Sequence, residues 1–138
     1  MSATINQIDQ YLDHSHARAV QSLFDVLRIP SISTQPDHAR DVAKAAQWVA
    51  DYLKQAGLAV EIWPTAGHPC VYGEWLGAGS SAPTLLIYGH HDVQPTGDLS
   101  KWTHPPFEPH VDTAGRIVAR GSADNKGLFF LQILAAEA

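Results

Sequence analysis

Three features that mark specialised protein classes are scarce or missing in this sequence of 138 residues. There is one cysteine, Cys70, so no disulfide can form within the chain, and we expect its thiol to be buried as a small apolar side chain. No apolar run approaches the ~20 residues of a membrane-spanning helix, which argues against a membrane partner. Lys and Arg number 9 against 14 Asp and Glu, and the net charge of −5 argues against nucleic acid, whose binders carry a basic face.

The start of the sequence also lacks a targeting pattern. The residues MSATINQIDQYLDHSH have no basic stretch followed by an apolar core, so no secretory signal peptide is expected. Together with the single thiol, this predicts a cytoplasmic protein. Apolar residues make up 45% of the chain, which is normal for a globular protein, and the length suits one domain.

The spacing of apolar residues predicts two amphipathic helices in the first half of the chain. One covers about residues 4–28 and the other about residues 38–56, where Gly57 is a suitable C-terminal cap. The segment IPSISTQPD, with Pro30 and Pro36, breaks the pattern between them. We expect the apolar stripes of both helices to pack in the core.

After Gly57 the pattern changes to that of strands. LAVEIW, CVYGEW and RIVARG are predicted strands, and TLLIYG (84–89) is a continuous apolar run typical of a strand buried on both faces. A long Pro-rich loop follows it, in which Trp102 and Phe107 are expected to pack the loop down. A helix is predicted to begin near Asn125. This order of elements predicts an α/β layered domain.

Residues 88–95 read YGHHDVQP and place ionisable side chains directly after the apolar run. Alternate side chains of a strand face the same way, so His90 and Asp92 are predicted to share one side and His91 to face the other. Imidazole is the commonest protein ligand for transition metals, and a carboxylate beside it can fix the orientation of the ring. On this segment alone, a metal ligand and a hydrogen-bonded loop cluster both remain open interpretations.

A second candidate segment is ARGSADNKG, residues 119–127, which also follows a predicted strand. Asp124 lies just before the predicted helix, where a carboxylate can act as a helix N-cap. Alternatively it is a ligand at a second strand end, and its two oxygens would allow it to bridge two metal ions. Both segments place candidate ligands at the carboxyl ends of strands, where open α/β sheets bind their ligands.

These two segments resemble the motifs of the M20 family of metallopeptidases, which includes carboxypeptidases, dipeptidases and the related acetylornithine and succinyl-diaminopimelate deacylases. GHHDVQP matches the family's first metal motif in full, and ARGSADNKG matches the second except that Ala119 replaces a glycine. The residues W…PPFEP…GRI resemble the loop between the motifs. The resemblance spans about residues 20–138, and DVQP is closer to the dipeptidase-like branch.

The resemblance implies roles for three residues. His90 is implied to be a ligand of one metal ion, Asp92 the catalytic aspartate that orients His90, and Asp124 the bridge between two ions, usually zinc. A cis peptide bond is implied after Asp124, and no role is implied for His91. The implied reaction is metal-assisted hydrolysis of amide bonds in small peptides or N-acyl amino acids, with a glutamate as general base.

The resemblance also implies an α/β fold, namely part of a zinc-exopeptidase-like catalytic domain with a mixed sheet flanked by helices. Residues 1–138 are assigned to the N-terminal part of that domain. The rest of the domain and the lid domain, through which the parent enzyme is expected to form a homodimer, would lie outside these residues. The apolar segment KGLFFLQILAAEA has no stop signal before Ala138, and we expect later segments to cover it.

The motifs supply fewer groups than the reaction needs. A catalytic zinc ion usually has three protein ligands, and the family's Glu-Glu motif, which provides the general base, does not occur here. The remaining histidines of interest, His68, His104 and His110, are expected to be solvent-facing loop residues. Two hypotheses therefore remain. The chain is part of an M20 enzyme and has little or no activity alone, or it is a non-catalytic module with a vestigial half-site that acts through partner contacts.

Overall fold

The computed structural model describes residues 5–138, which form three α-helices, two short antiparallel hairpins and two single-turn 3-10 helices. The main elements in chain order are α1 (Ile5–Leu27), α2 (Ala39–Gln55), β1 (Ala59–Trp63), β2 (Cys70–Glu74), β3 (His110–Val111), β4 (Ile117–Val118) and α3 (Lys126–Glu137). The 3-10 turns are Pro36–His38 and Leu99–Lys101.

The two predicted amphipathic helices are present with nearly the predicted bounds. The first helix was predicted from Thr4, which lies outside the described residues, and α1 ends one residue before the predicted end. The expectation that both apolar stripes pack in the core is wrong for the first half of α1, where Ile5, Ile8 and Leu12 are 77%, 38% and 47% exposed because no other described element covers them. The turn Pro36–His38 leads directly into α2. Gly57 follows α2 with φ of 90°, a left-handed conformation that glycine adopts at little cost, so it ends the helix as predicted.

The core lies where α2 meets α1 and α3. Helix α2 contributes a buried stripe with helical spacing, made of Val42, Ala45, Ala46, Val49, Ala50 and Tyr52. Phe130 of α3 packs edge-on against Tyr52, with ring centroids 5.0 Å apart, and also contacts Trp48 at 5.7 Å. Phe130 is 1% exposed, and loss of such a side chain costs about 3–5 kcal/mol. This contact joins the start of α3, and the loop before it, to the helical layer.

The strand residues form two separate hairpins. β1 pairs with β2 from Ala59 opposite Glu74 to Trp63 opposite Cys70. β3 pairs with β4 through His110 opposite Val118 and Val111 opposite Ile117. The first hairpin packs against α2, and the second closes the Pro-rich loop and leads to Asp124.

The prediction of a strand buried on both faces at residues 84–89 is wrong. This segment has no regular secondary structure and no strand partner among the described residues, and Leu85, Leu86 and Tyr88 are 82%, 87% and 81% exposed. A strand buried on both faces needs a neighbour on each edge and a layer on each face. The nearest pairing is one isolated parallel bridge between Ile32 and Val93.

Two smaller findings complete the fold. Cys70 is exposed, so the expectation of a buried thiol is also wrong, because β2 lies in a two-stranded hairpin with an open face. Among residues 5–138, no helix combines the length and the hydropathy needed to cross a membrane.

Candidate metal centre

His90 and Asp92, which directly follow the apolar segment 84–89, form a side-chain pair. The Nδ1 atom of His90 lies 2.9 Å from Oδ1 of Asp92. An ionised carboxylate can only accept hydrogen bonds, so Nδ1 is the protonated nitrogen of the ring and donates to Asp92. His91 points elsewhere, with Nε2 3.1 Å from the carbonyl oxygen of Pro69. The predicted separation of His91 from the other two side chains is confirmed.

The second motif brings its aspartate to the other side of the same imidazole. Nε2 of His90 lies 3.1 Å from Oδ1 of Asp124, although 34 residues separate them in the chain. Asp124 precedes Asn125, the N-cap residue of α3, so it is not the helix cap. Its side chain is 76% exposed. The expected cis peptide bond between Asp124 and Asn125 is present. The two motifs therefore meet at one ring.

Close contact between the two motifs depends on Gly89. A Cβ atom added there would lie 2.4 Å from Cβ of Phe129 and 3.0 Å from Oδ1 of Asn125, so only glycine lets α3 approach this closely. The backbone N–H of His90 donates to that same Oδ1 atom at 3.2 Å. The Asn125 side chain thus fixes the backbone of His90 next to the loop that carries Asp124.

Burial and hydrogen bonds oppose each other at Asp92. Burial raises the pKa of its carboxyl group, while hydrogen bonds from Ser33 and His90 lower it, and the net pKa lies below the ordinary value. Asp92 is therefore ionised at neutral pH. Burial lowers the pKa of His91, which keeps that ring neutral beside the site.

Comparison with known protein families gives one match to this part of the chain. Residues 86–138, which contain both motifs, match the family described as Peptidase family M20/M25/M40. Among curated relatives, a succinyl-diaminopimelate desuccinylase of Hydrogenovibrio crunogenus is 44% identical over 82 residues, which cover 56% of this chain and 20% of that protein. A protein of the same name from Methylorubrum extorquens is 33% identical over 117 residues, or 83% of this chain and 28% of the relative.

Solved structures agree with this match over nearly the whole chain. The di-peptidase Dug1p from Saccharomyces cerevisiae superposes with a TM-score of 0.82 at 25% identity, over 99% of this chain and 31% of that one. Human carnosine dipeptidase 1 superposes with a TM-score of 0.80 at 27% identity, with the same coverage. Together the comparisons support an M20 family peptidase, of which this chain covers a part. It spans less than a third of the length of each of these relatives, and its fold matches their α/β catalytic domain in part.

The donor set of this chain fits a cation between His90 and Asp124. With Nδ1 donating to Asp92, a neutral His90 ring has a lone pair at Nε2, which faces an acceptor-only carboxylate. Two acceptors 3.1 Å apart repel each other unless a proton or a cation lies between them. Two zinc ligands at tetrahedral positions stand about 3.3 Å apart, given bonds of about 2.0–2.1 Å, so the observed spacing suits zinc.

This donor set is only part of a complete metal site. Among residues 5–138 there is no group of three or more His, Cys, Asp and Glu side chains arranged to hold a metal ion. His68, expected to face solvent, is instead half-buried, with Nε2 2.9 Å from the carbonyl oxygen of Ser33. His104 is exposed in the Pro-rich loop as expected, whereas His110 is half-buried at the start of β3, and the two rings meet at a tilt of 34° with centroids 3.8 Å apart. Trp102 packs in the Pro-rich loop as predicted. Its ring lies beneath the Arg120 guanidinium, and its Nε1–H donates a hydrogen bond to the carbonyl oxygen of Thr96.

Two residues of the site were missed by sequence reasoning. Ser33 donates a hydrogen bond to Oδ2 of Asp92, and Asn125 holds the backbone of His90. For Asn125, the sequence predicted a place in the second motif and at the start of a helix, but no contact with His90. Ser33 lies in IPSISTQPD, which was interpreted only as a helix break, and no local pattern links it to a carboxylate 59 residues later.

Proposed function

We propose that this chain supplies one wall of the metal site of an M20 metallopeptidase whose parent hydrolyses amide bonds. The observation that carries the proposal is the meeting of two motifs at one ring, with Asp92 at Nδ1 of His90 and Asp124 at Nε2. The site residues are His90 and Asp124 as metal ligands and Asp92 as the catalytic aspartate. The native ion is zinc, with two ions in the complete site.

Each residue has a distinct task in this proposal. Asp92 accepts the Nδ1 proton of His90, which leaves the Nε2 lone pair free to act as a ligand. Asp124 is largely exposed, so its second oxygen is open to a second ion. A zinc ion bound there supplies Lewis-acid chemistry, which polarises a carbonyl group and makes water acidic enough to act as a nucleophile at neutral pH.

The general base and the remaining ligands are proposed to come from parts of the parent enzyme outside these 138 residues. The same holds for a lid domain and for a homodimer interface. The substrates are proposed to be small peptides or N-acyl amino acids, since the relatives' names include both a di-peptidase and a desuccinylase. Cleavage of an amide bond is common to both, and the cytoplasm is the proposed compartment.

The metal-site proposal is tested by zinc titration of the 138-residue chain, followed by NMR of its histidine side chains. We expect zinc to shift the ring resonances of His90, and we expect His90→Ala and Asp124→Ala each to weaken binding strongly. His104→Ala is the matched control, because that ring lies in the Pro-rich loop, and it should bind zinc as the wild type does. Zinc that leaves His90 unperturbed, or that binds His90→Ala equally well, would overturn the proposal.

The activity proposal is tested by expressing the entire open reading frame that contains this chain and assaying its product. Zinc-dependent cleavage of a dipeptide or of N-succinyl-diaminopimelate, lost in Asp92→Ala, is the expected result. The alternative function is a non-catalytic module with a vestigial half-site. If the encoded product binds zinc at His90 but cleaves no dipeptide or acylated amino acid, the result would favour the non-catalytic module.

A further inference from the structure

The segment of residues 29–33 packs directly behind the candidate metal centre, although neither motif includes it. Ile32 and Val93 form a parallel bridge, and the N–H of Val93 donates to the carbonyl oxygen of Ser31 at 2.9 Å. The hydroxyl of Ser31 donates to the carbonyl oxygen of His91 at 2.7 Å. These contacts lie on both sides of Asp92 in the chain, so the segment is held in register with the motif GHHDVQP.

Ser33 extends this contact to the catalytic aspartate itself. Its hydroxyl donates to Oδ2 of Asp92, while Nδ1 of His90 donates to Oδ1 of the same carboxylate at 2.9 Å. With both oxygens bonded, the carboxylate cannot rotate without losing a hydrogen bond. Without the Ser33 hydroxyl, Oδ2 loses this donor, and Nδ1 of His90 remains in contact with Oδ1 of Asp92 at 2.9 Å and with the backbone oxygen of Asp92 at 3.2 Å.

Ser33 is well placed to act as a fixed point because its own position is determined from several sides. Its carbonyl oxygen lies 2.9 Å from Nε2 of His68. The neighbouring Ser31 is fully buried and Ile32 is 4% exposed. At the start of the segment, the carbonyl oxygen of Ile29 accepts a hydrogen bond from the buried Lys126 at 2.7 Å.

We propose that Ser33 is a positioning residue that fixes the Asp92 carboxylate and thereby keeps Nε2 of His90 directed at Asp124. The inference deepens the proposed function and rests on it for its catalytic meaning. Ser33 contacts neither of the two proposed metal ligands in the structure, so its effect on metal binding passes through Asp92. Removing a residue that orients a metal ligand without contacting the metal typically lowers metal affinity by about 10–100-fold.

The chain contains a matched control for a serine–aspartate hydrogen bond. In the Pro-rich loop, the hydroxyl of Ser100 donates to Oδ1 of Asp98 at 2.7 Å. This pair is exposed and is not bonded to a histidine. Ser100→Ala therefore removes the same kind of bond without touching the candidate site.

The test uses 15N-edited NMR of the 138-residue chain and observes the Nδ1–H proton of His90 without metal. We expect this proton to be protected from exchange in the wild type and in Ser100→Ala. It should exchange quickly in Ser33→Ala and in Ser33→Cys, whose thiol is a weak donor, and it should be protected again in Ser33→Thr, which keeps a hydroxyl. Circular dichroism checks that each variant is folded, and the Cys and Thr variants decide the question if the Ala variant does not fold.

A second measurement on the same variants is zinc affinity. We expect about a tenfold loss in Ser33→Ala and Ser33→Cys, and an affinity within about twofold of the wild type in Ser33→Thr and Ser100→Ala. Unchanged protection of the His90 proton together with unchanged affinity in Ser33→Ala would overturn the inference and leave the proposed function intact. If the wild type itself binds no zinc at His90, the proposed function fails, and the proton exchange still decides whether Ser33 positions the pair.

Discussion

The side-chain nitrogen of Lys126 lies 2.7 Å from the carbonyl oxygen of Ile29, 97 residues earlier in the chain. It also donates to the carbonyl oxygen of Val26 at 2.9 Å, near the end of α1. The last carbonyl groups of a helix have no partner within the helix, and a cation there also interacts favourably with the helix dipole. One buried side chain, two residues after Asp124, thus ties the second motif to the end of α1.

Replacement of this lysine should therefore destabilise the chain. Lys126→Met keeps most of the side-chain volume but removes the Lys126 donor from the carbonyl oxygens of Val26 and Ile29, each of which keeps one backbone N–H donor. Loss of a hydrogen bond from a charged donor costs about 1.5–3 kcal/mol. We expect the free energy of unfolding in urea to fall by about 2–3 kcal/mol. Lys44→Met, at an exposed position of α2, is the control and should stay within about 0.5 kcal/mol of the wild type. Equal stability of the two variants would show that the contact contributes nothing.

The same lysine should make stability depend on pH in the alkaline range. Burial lowers its pKa to about 7, against partial opposition from Asp92 and Asp41, whereas the pKa in the unfolded chain is near 10.5. Between these values the unfolded chain binds more protons than the folded chain, so the free energy of unfolding rises with pH. Below pH 7 both states are protonated and this contribution to the slope vanishes.

This pH dependence is measured as the difference between the wild type and Lys126→Met, since other titrating groups largely cancel in that difference. We expect the wild type to gain stability relative to the variant by at most about 1.4 kcal/mol per pH unit between pH 7 and 10.5. The neutral amine still donates to both carbonyl groups, so the contact persists. Parallel stability curves for the two proteins would contradict the lowered pKa.

The features that sequence patterns predicted correctly are those that local geometry determines. Helical periodicity and Gly57 predicted the bounds of α1 and α2 nearly to the residue, and the apolar stripe of α2 is buried as expected, whereas that of α1 is buried only at its C-terminal end. The side chain of His91 lies apart from those of His90 and Asp92 as predicted, although residues 90–92 do not form a strand. In each case, the decisive spacing lies within a few residues of the chain.

The features that were missed depend on distant segments. The apolar run 84–89 has the composition of a buried strand, but pairing and burial require neighbours that a local pattern cannot reveal. The hydrogen bond from Ser33 to Asp92 and that from Lys126 to Ile29 join residues 59 and 97 positions apart. Neither carries a local signal, since serine after a helix and lysine at a helix start are both common on surfaces.

Gly127 should tolerate no side chain, although it lies in a helix where alanine is normally favoured. A Cβ atom there would lie 1.9 Å from the backbone oxygen of Ser122, and a backbone atom cannot move aside as a flexible side chain does. Alanine gains about 1 kcal/mol of helix propensity over glycine, but overpacking costs about 1–3 kcal/mol or more, so the clash decides the sign. We expect Gly127→Ala to lower the free energy of unfolding by about 1–2 kcal/mol.

The control for this substitution is Gly67→Ala in the turn between β1 and β2. The nearest atom to an added Cβ there is Oγ1 of Thr65 at 3.9 Å, an ordinary contact. Its stability should stay within about 0.5 kcal/mol of the wild type.

Because the clash at Gly127 would displace the loop that carries Asp124, Gly127→Ala should also weaken zinc binding, whereas Gly67→Ala should not. A Gly127→Ala variant as stable as the wild type would show that the loop has room to move.

The exposed apolar segment of residues 84–88 should make the isolated chain associate. Leu85 and Leu86 are 82% and 87% exposed, and they line the wall of a cleft of about 1050 Å³. Contiguous exposed apolar surface of this kind promotes association. Light scattering on the 138-residue chain should show mass rising with concentration, and the double substitution Leu85→Ser, Leu86→Ser should reduce it. Leu99→Ser, which removes a leucine that is 62% exposed in the Pro-rich loop, serves as the control and should leave association unchanged. A wild-type chain that stays monomeric at all concentrations would contradict this expectation.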